Sequence, residues 1–127
     1  MDYLLDTHAI IWFITDDKKL PSKCKEIIEN TENNCFVSLS SYWEIAIKHS
    51  LDKLTLNTDL RKVFTIIQES LITKLPINEE HILTSSKQEF HHRDPFDRLI
   101  IAQAITENLT ILSIDSQFSK YPVKVMW

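Results

Sequence analysis

Glycine is absent from all 127 residues, although its usual share is about 7%. Phosphate-cradling loops of the G-x-G-x-x-G and G-x-x-x-x-G-K types need glycine for close backbone approach, so nucleotide binding by those routes is excluded. Long apolar runs are missing too. The longest, Ala9-Ile10-Ile11-Trp12-Phe13-Ile14, is far short of the roughly 18 residues that span a membrane. The first residues lack a basic stretch followed by an apolar segment and a small-residue cleavage site, and a cytoplasmic protein is expected. Cysteine is scarce: Cys24 and Cys35 fit neither a disulfide framework nor zinc spacing and read as apolar, partly buried thiols. Neither sign of charge dominates, with 14 basic and 18 acidic residues and a net charge of −4. Such a chain binds a polyanion only with help from cations or a local basic patch.

What is present is a rhythm of short apolar runs and helix-period stretches. Tyr3-Leu4-Leu5, Cys35-Phe36-Val37, Ile72 to Leu75, Thr110 to Ile114 and Val123 to Met126 read as strands. Thr7 to Ile14, a segment opening at Pro21, one starting at Ser40-Ser41, Leu60 to Leu71, Asn78 to Lys87 and Pro95 to Glu107 read as helices. Asn30, Asn33 and Asn34 are expected to stop the second helix in the left-handed role of glycine, and Asn108 to close the last. Near-continuous apolar strands alternating with helices imply a parallel sheet covered on both faces. The fold expected is a three-layer α/β/α domain over 1–127, with a central, mainly parallel sheet of about four to five short strands.

In such sheets functional groups sit at the carboxyl ends of strands. Asp6 and Asp115 follow two strands, while Glu44 and Asp97 are read in the first turns of two helices. A parallel sheet puts all four at one edge. Each acid singly also reads as a cap: Ser41 and Glu44 match a capping box, Asp94 suits the N-cap before Pro95, and Asp97 would meet the positive end of its helix. Four converging carboxylates, however, raise each other's pKa unless a cation neutralises them. An all-oxygen set favours a hard divalent ion, Mg²⁺ or Mn²⁺, able to acidify a bound water for attack on a phosphodiester. Subtracting these four from the 18 acids leaves 14, equal to the 14 basic residues, so the loaded protein need not repel RNA.

Four segments carry a family resemblance: Leu4-Leu5-Asp6-Thr7-His8-Ala9-Ile10-Ile11-Trp12, Ser41-Tyr42-Trp43-Glu44-Ile45-Ala46-Ile47-Lys48, His92 to Ala104 including Asp94-Pro95-Phe96-Asp97-Arg98, and Ile111-Leu112-Ser113-Ile114-Asp115-Ser116-Gln117-Phe118. In this order and at these separations the chain resembles the PIN domain, and within it the VapC-type ribonuclease toxins of type II toxin-antitoxin pairs. The family's acidic positions fall on Asp6, Glu44, Asp97 and Asp115. The family often has threonine where Ser113 stands, and Ser116-Gln117 replaces a further acid for which Asp94 is either a partial substitute or simply a cap. The resemblance implies a Mg²⁺- or Mn²⁺-dependent endoribonuclease in which a metal-activated water cuts RNA to 5′-phosphate and 3′-hydroxyl ends. It also implies a cognate antitoxin across the groove and a homodimer.

Around the acids, Thr7, Asp94, Arg98 and Ser113 are candidate supporting or substrate contacts, with Arg93 beside them; Arg98 reads equally as an ion-pair partner of Asp94. The His91-His92 pair lacks nearby ligands for zinc. Trp12, Phe13, Tyr42 and Trp43 read as packing or oligomer contacts before base-stacking platforms. A non-catalytic RNA- or protein-binding module remains the alternative. A receiver-like phosphoacceptor domain would want paired acids after the first strand and a late lysine, whereas Asp6 precedes Thr7-His8.

Overall fold

A computed structural model describes residues 1–91 and 94–127; the expectations placed on His92 and Arg93 fall outside the described residues. Five strands form one sheet in the order β3-β2-β1-β4-β5, with every pairing parallel. They are β1 (Asp2–Leu5), β2 (Asn34–Ser38), β3 (Ile72–Leu75), β4 (Thr110–Leu112) and β5 (Val125–Met126). The helices are α1 (Thr7–Ile14), α2 (Ser22–Glu29), α3 (Leu39–Ser50), α4 (Leu60–Glu69), α5 (Glu79–Lys87) and α6 (Pro95–Glu107). Alternation along the central strands separates two cores. Tyr3, Leu5 and Leu112 pack with Ala9, Ile10, Ile28, Ile45 and Ile67. Leu4 and Ile111 face Ile100, Ile101, Ala104 and Phe118. Side chains of period two thus turn each of β1 and β4 toward both helical layers. The result is a three-layer α/β/α fold, as the strand-helix rhythm implies. Cys24 and Cys35 are buried free thiols, and among the described residues no helix is long and apolar enough to cross a membrane.

The differences from the sequence reading are local. Helix α3 begins at Leu39 because the Ser38 side chain caps it, accepting the Ser40 N–H at 3.0 Å. Ser41 and Glu44 are therefore inside the helix, and the capping box expected of them does not form. Asn30 is not left-handed, with φ of −76°; among the described residues the left-handed ones are Asp16, Asp52 and Asn108, whose short polar side chains tolerate that region best. Asn108 closes α6 as expected. β4 ends at Leu112, and Ser116–Lys120 forms a 3-10 helix that the apolar periodicity does not signal. Tyr42 is buried whereas Trp43 is exposed, touching Phe96 edge to face at 5.3 Å between ring centroids.

Candidate active site

Strand order reverses at β1, whose neighbours β2 and β4 are reached by crossovers in opposite directions. A crevice opens at such a switch point outside the carboxyl ends of the strands. A cleft of about 340 Å³ lies there, lined by Asp6, Glu44, Asp97 and Asp115 together with Thr7, His8, Lys48, Asp94 and Ile114. The larger hollow, of about 720 Å³, is at the opposite edge of the sheet beside Asp2, Thr110 and Lys124. Volume alone therefore does not mark the site, since only the smaller cleft gathers several acids.

Each acid reaches the cleft by a different local device. Asp6 follows β1 and caps α1: its Oδ1 accepts the Ala9 N–H at 2.8 Å and its Oδ2 the Ser113 hydroxyl at 2.5 Å. The same Ser113 oxygen accepts the Asp115 N–H at 3.0 Å, tying the ends of β1 and β4 together. Asp115 Oδ1 in turn takes the Gln117 N–H at 2.9 Å, starting the 3-10 helix. Glu44, buried in the second turn of α3, is held by Thr7, whose hydroxyl donates to Oε1 at 2.6 Å. With that proton committed, the 2.9 Å contact between Thr7 and Ser41 has Ser41 as donor. The other Glu44 oxygen, Oε2, receives the Lys48 ammonium at 2.6 Å. Asp94 is the N-cap of α6, accepting the N–H groups of Phe96 at 2.8 Å and Asp97 at 3.3 Å.

Asp97 differs from the others. No donor from the described residues reaches its carboxylate. Burial, then the charges of Asp94, Glu44, Asp6 and Asp115, push its pKa from the usual 3.8 to about 7. Burial also raises Asp6 above its ordinary value, against the lowering effect of the Ser113 and Ala9 hydrogen bonds. Burial works against the Lys48 ammonium, but its hydrogen bond to Glu44 and the charges of Glu44, Asp94 and Asp97 outweigh this and raise its pKa.

This electrostatic imbalance is what a hard cation corrects. Among the described residues no three acidic, histidine or cysteine side chains close round a common point as a ready-made cage. Mg²⁺ and Mn²⁺ do not require one, because one or two carboxylates suffice when waters and a substrate phosphate complete the shell. The Asp97 carboxylate, which no described residue donates to, and the carboxylate oxygens of Asp6, Glu44 and Asp115 in the same cleft fit such an ion.

The sequence placed Thr7, Asp94 and Ser113 near the acids, and the structure brings all three there. It does not bring Arg98. That side chain is buried and turns toward the α5–α6 connection, where Nη1 donates to the Glu89 carbonyl at 2.9 Å and Nη2 to the carbonyls of Ser85 at 2.8 Å and Gln88 at 3.2 Å. Its guanidinium also covers the Phe90 ring at 4.1 Å. The substrate-contact reading of Arg98 is corrected accordingly: one residue beyond Asp97, the helix has rotated by about 100° and points elsewhere. Arg98→Met is expected to lower stability by about 3 kcal/mol, because buried carbonyls lose charged donors. Urea unfolding reads the loss. Lys48 was legible only as a neighbour of the acids; the Glu44-x-x-x-Lys48 spacing, i to i+4 on one helix face, is the signal that pairs them.

A doubly wound parallel sheet with carboxylates collected at its switch point defines a class of α/β proteins that hold their ligands at strand ends. Within that class, the chain belongs to the PIN domain family, whose sequence pattern it matches over residues 3–124. No curated protein is similar to it in sequence. Similar solved structures include a chain of VapBC2 from Rickettsia felis bound to a DNA fragment from their promoter, with TM-score 0.75 and 16% identity over 100% of this chain and 99% of that one. FitAcB from Neisseria gonorrhoeae matches with TM-score 0.69 and 18% identity, covering 98% and 96%. A toxin-antitoxin complex from Klebsiella pneumoniae gives 0.66 and 15%, covering 98% and 96%. At these identities the likeness is one of fold.

Proposed function

We propose that the chain, acting as one PIN unit over 1–127, is a Mg²⁺- or Mn²⁺-dependent endoribonuclease and the toxin of a type II toxin-antitoxin pair. The observation that carries this reading is the Asp97 carboxylate at the strand-end cleft, reached by no donor among the described residues and held near neutral pKa by burial and by the acids around it. Asp6, Glu44, Asp97 and Asp115 would hold the ion directly or through water. When bound, it supplies an acidified water and balances charge at the phosphodiester. The chain's own contribution is preorganisation. Ser113 fixes Asp6 relative to Asp115, while Ser41 and Thr7 fix Glu44, so these acids meet the substrate without first being oriented.

The toxin role is supported by the family membership and by the complexes whose chains share the fold. An antitoxin partner in the cytoplasm and a homodimer follow the family resemblance. The chemistry is tested by the ends of the RNA products. Water as nucleophile gives 5′-phosphate and 3′-hydroxyl ends; a 2′,3′-cyclic phosphate requires attack by the RNA's own 2′-hydroxyl and would sink the reading.

A further inference from the structure

The ammonium of Lys48 stands where a cation is wanted. It is 2.6 Å from Glu44 Oε2, one turn along α3, and lines the same cleft as Asp97. The other Glu44 oxygen is fixed by Thr7, so Lys48 fills the remaining face of the carboxylate. Among the described residues lining the cleft it is the one permanent cation. Its side chain is still 36% exposed, and a lysine is a point charge on a flexible four-carbon stem. Its partner Glu44 is only 4% exposed, so the carboxylate must keep a cation beside it, and an ion entering by the open side of the cleft can take the ammonium's place. A doubly charged ion with direct carboxylate ligands is the stronger competitor for Glu44. Once displaced, the ammonium cannot retreat far, because its stem is anchored at the cleft wall beside the acids, where a phosphodiester would be presented.

We propose that Lys48 is an exchangeable internal cation: it neutralises Glu44 in the ion-free protein and binds a non-bridging phosphate oxygen of RNA after a divalent ion takes that carboxylate. The phosphate half rests on the ribonuclease reading; the counter-ion half does not. The two halves predict effects of opposite sign for one substitution, which a merely structural lysine would not produce.

The test uses Lys48→Met, Lys48→Arg and, should methionine disturb folding, Lys48→Gln. Mn²⁺ binding is measured by electron paramagnetic resonance on RNA-free protein, and cleavage kinetics are measured against KCl concentration. Removing the competing charge should tighten Mn²⁺ binding by about tenfold in Lys48→Met. The same variant should raise KM for RNA by about tenfold and flatten the slope of log KM against log salt by about 0.7, the loss of one single-strand phosphate contact. Lys48→Arg should remain near wild type in both. Unchanged or weaker Mn²⁺ binding in the neutral variants overturns the counter-ion half, and an unchanged KM and salt slope overturns the phosphate half. A wild-type protein that cuts no RNA overturns the ribonuclease reading together with the phosphate half, while tighter Mn²⁺ binding in Lys48→Met would still uphold the other.

Discussion

Asp97→Asn is expected to reduce RNA cleavage by about 10³-fold or more, equivalent to about 4 kcal/mol of transition-state stabilisation, while making the ion-free protein more stable. The two effects have one cause. No described residue donates to the Asp97 carboxylate, and burial and surrounding like charge hold its pKa near 7 instead of 3.8. Three pKa steps at about 1.36 kcal/mol each set an upper bound of about 4 kcal/mol on the cost of its charge in the fold. Solvent screening in the open cleft reduces the usable part to about 1–2 kcal/mol. Against this, asparagine forfeits the favourable position of a carboxylate in the first turn of α6, worth roughly 0.3–1 kcal/mol. Relief of the buried, repelled charge outweighs that loss, so the variant gains stability. Urea unfolding in chelator, paired with cleavage in Mn²⁺, measures both. A variant that loses activity only because it unfolds would refute this explanation.

Adding a divalent ion to the wild type should raise its melting temperature, and more so at pH 8 than at pH 5.5. The sign follows from Asp97. Its folded pKa lies above its unfolded value, so between about pH 4 and pH 7 the native state keeps a proton that the unfolded chain has lost. Ion-free stability therefore falls as pH rises through that window, and Asp97 adds no further loss above it. Asp6, also raised, acts in the same direction. A metal ion competes with that proton, so its binding strengthens as the carboxylate ionises. At 100 times its dissociation constant an ion adds about 2.7 kcal/mol, roughly 10 °C for a domain of this size. Differential scanning calorimetry at the two pH values, with Mn²⁺ and with chelator, reads the difference. In Asp97→Asn the ion-dependent increment should shrink at both.

The acids at strand ends were the most legible part of the site. Asp6 and Asp115 each follow an apolar triplet or its close continuation, and parallel topology then forces them to one edge. Glu44 was legible as an acid but misplaced within its helix. A serine pair upstream of a glutamate imitates a capping box, and only the Ser38 cap shows that the helix starts earlier. With Glu44 in the second turn, a capping role is removed and its burial beside Thr7 has to be explained by the site. Asp94 and Asp6 show the opposite case, because each is a genuine cap and also lines the cleft. The two readings were never exclusive.

Arg98 was illegible for a geometric reason. Next to Asp97 in sequence, it answers to the carbonyls of Ser85, Gln88 and Glu89, whose path depends on how α5 packs against α6. The glycine-free turns were half legible: asparagine at the end of a strong helix pattern identified Asn108, whereas Asp16 and Asp52 carry left-handed backbone in places where the sequence offers other polar residues equally suited.

The most direct test of metal-dependent cleavage at this site is RNA cutting by the purified wild-type protein over a Mn²⁺ titration, with site occupancy followed in parallel by the ion's resonance signal. No cleavage is expected in chelator, and activity should rise with occupancy of a site lost or severely weakened in Asp97→Asn. Cleavage that persists in chelator, or full Mn²⁺ occupancy of that site in Asp97→Asn, would contradict it.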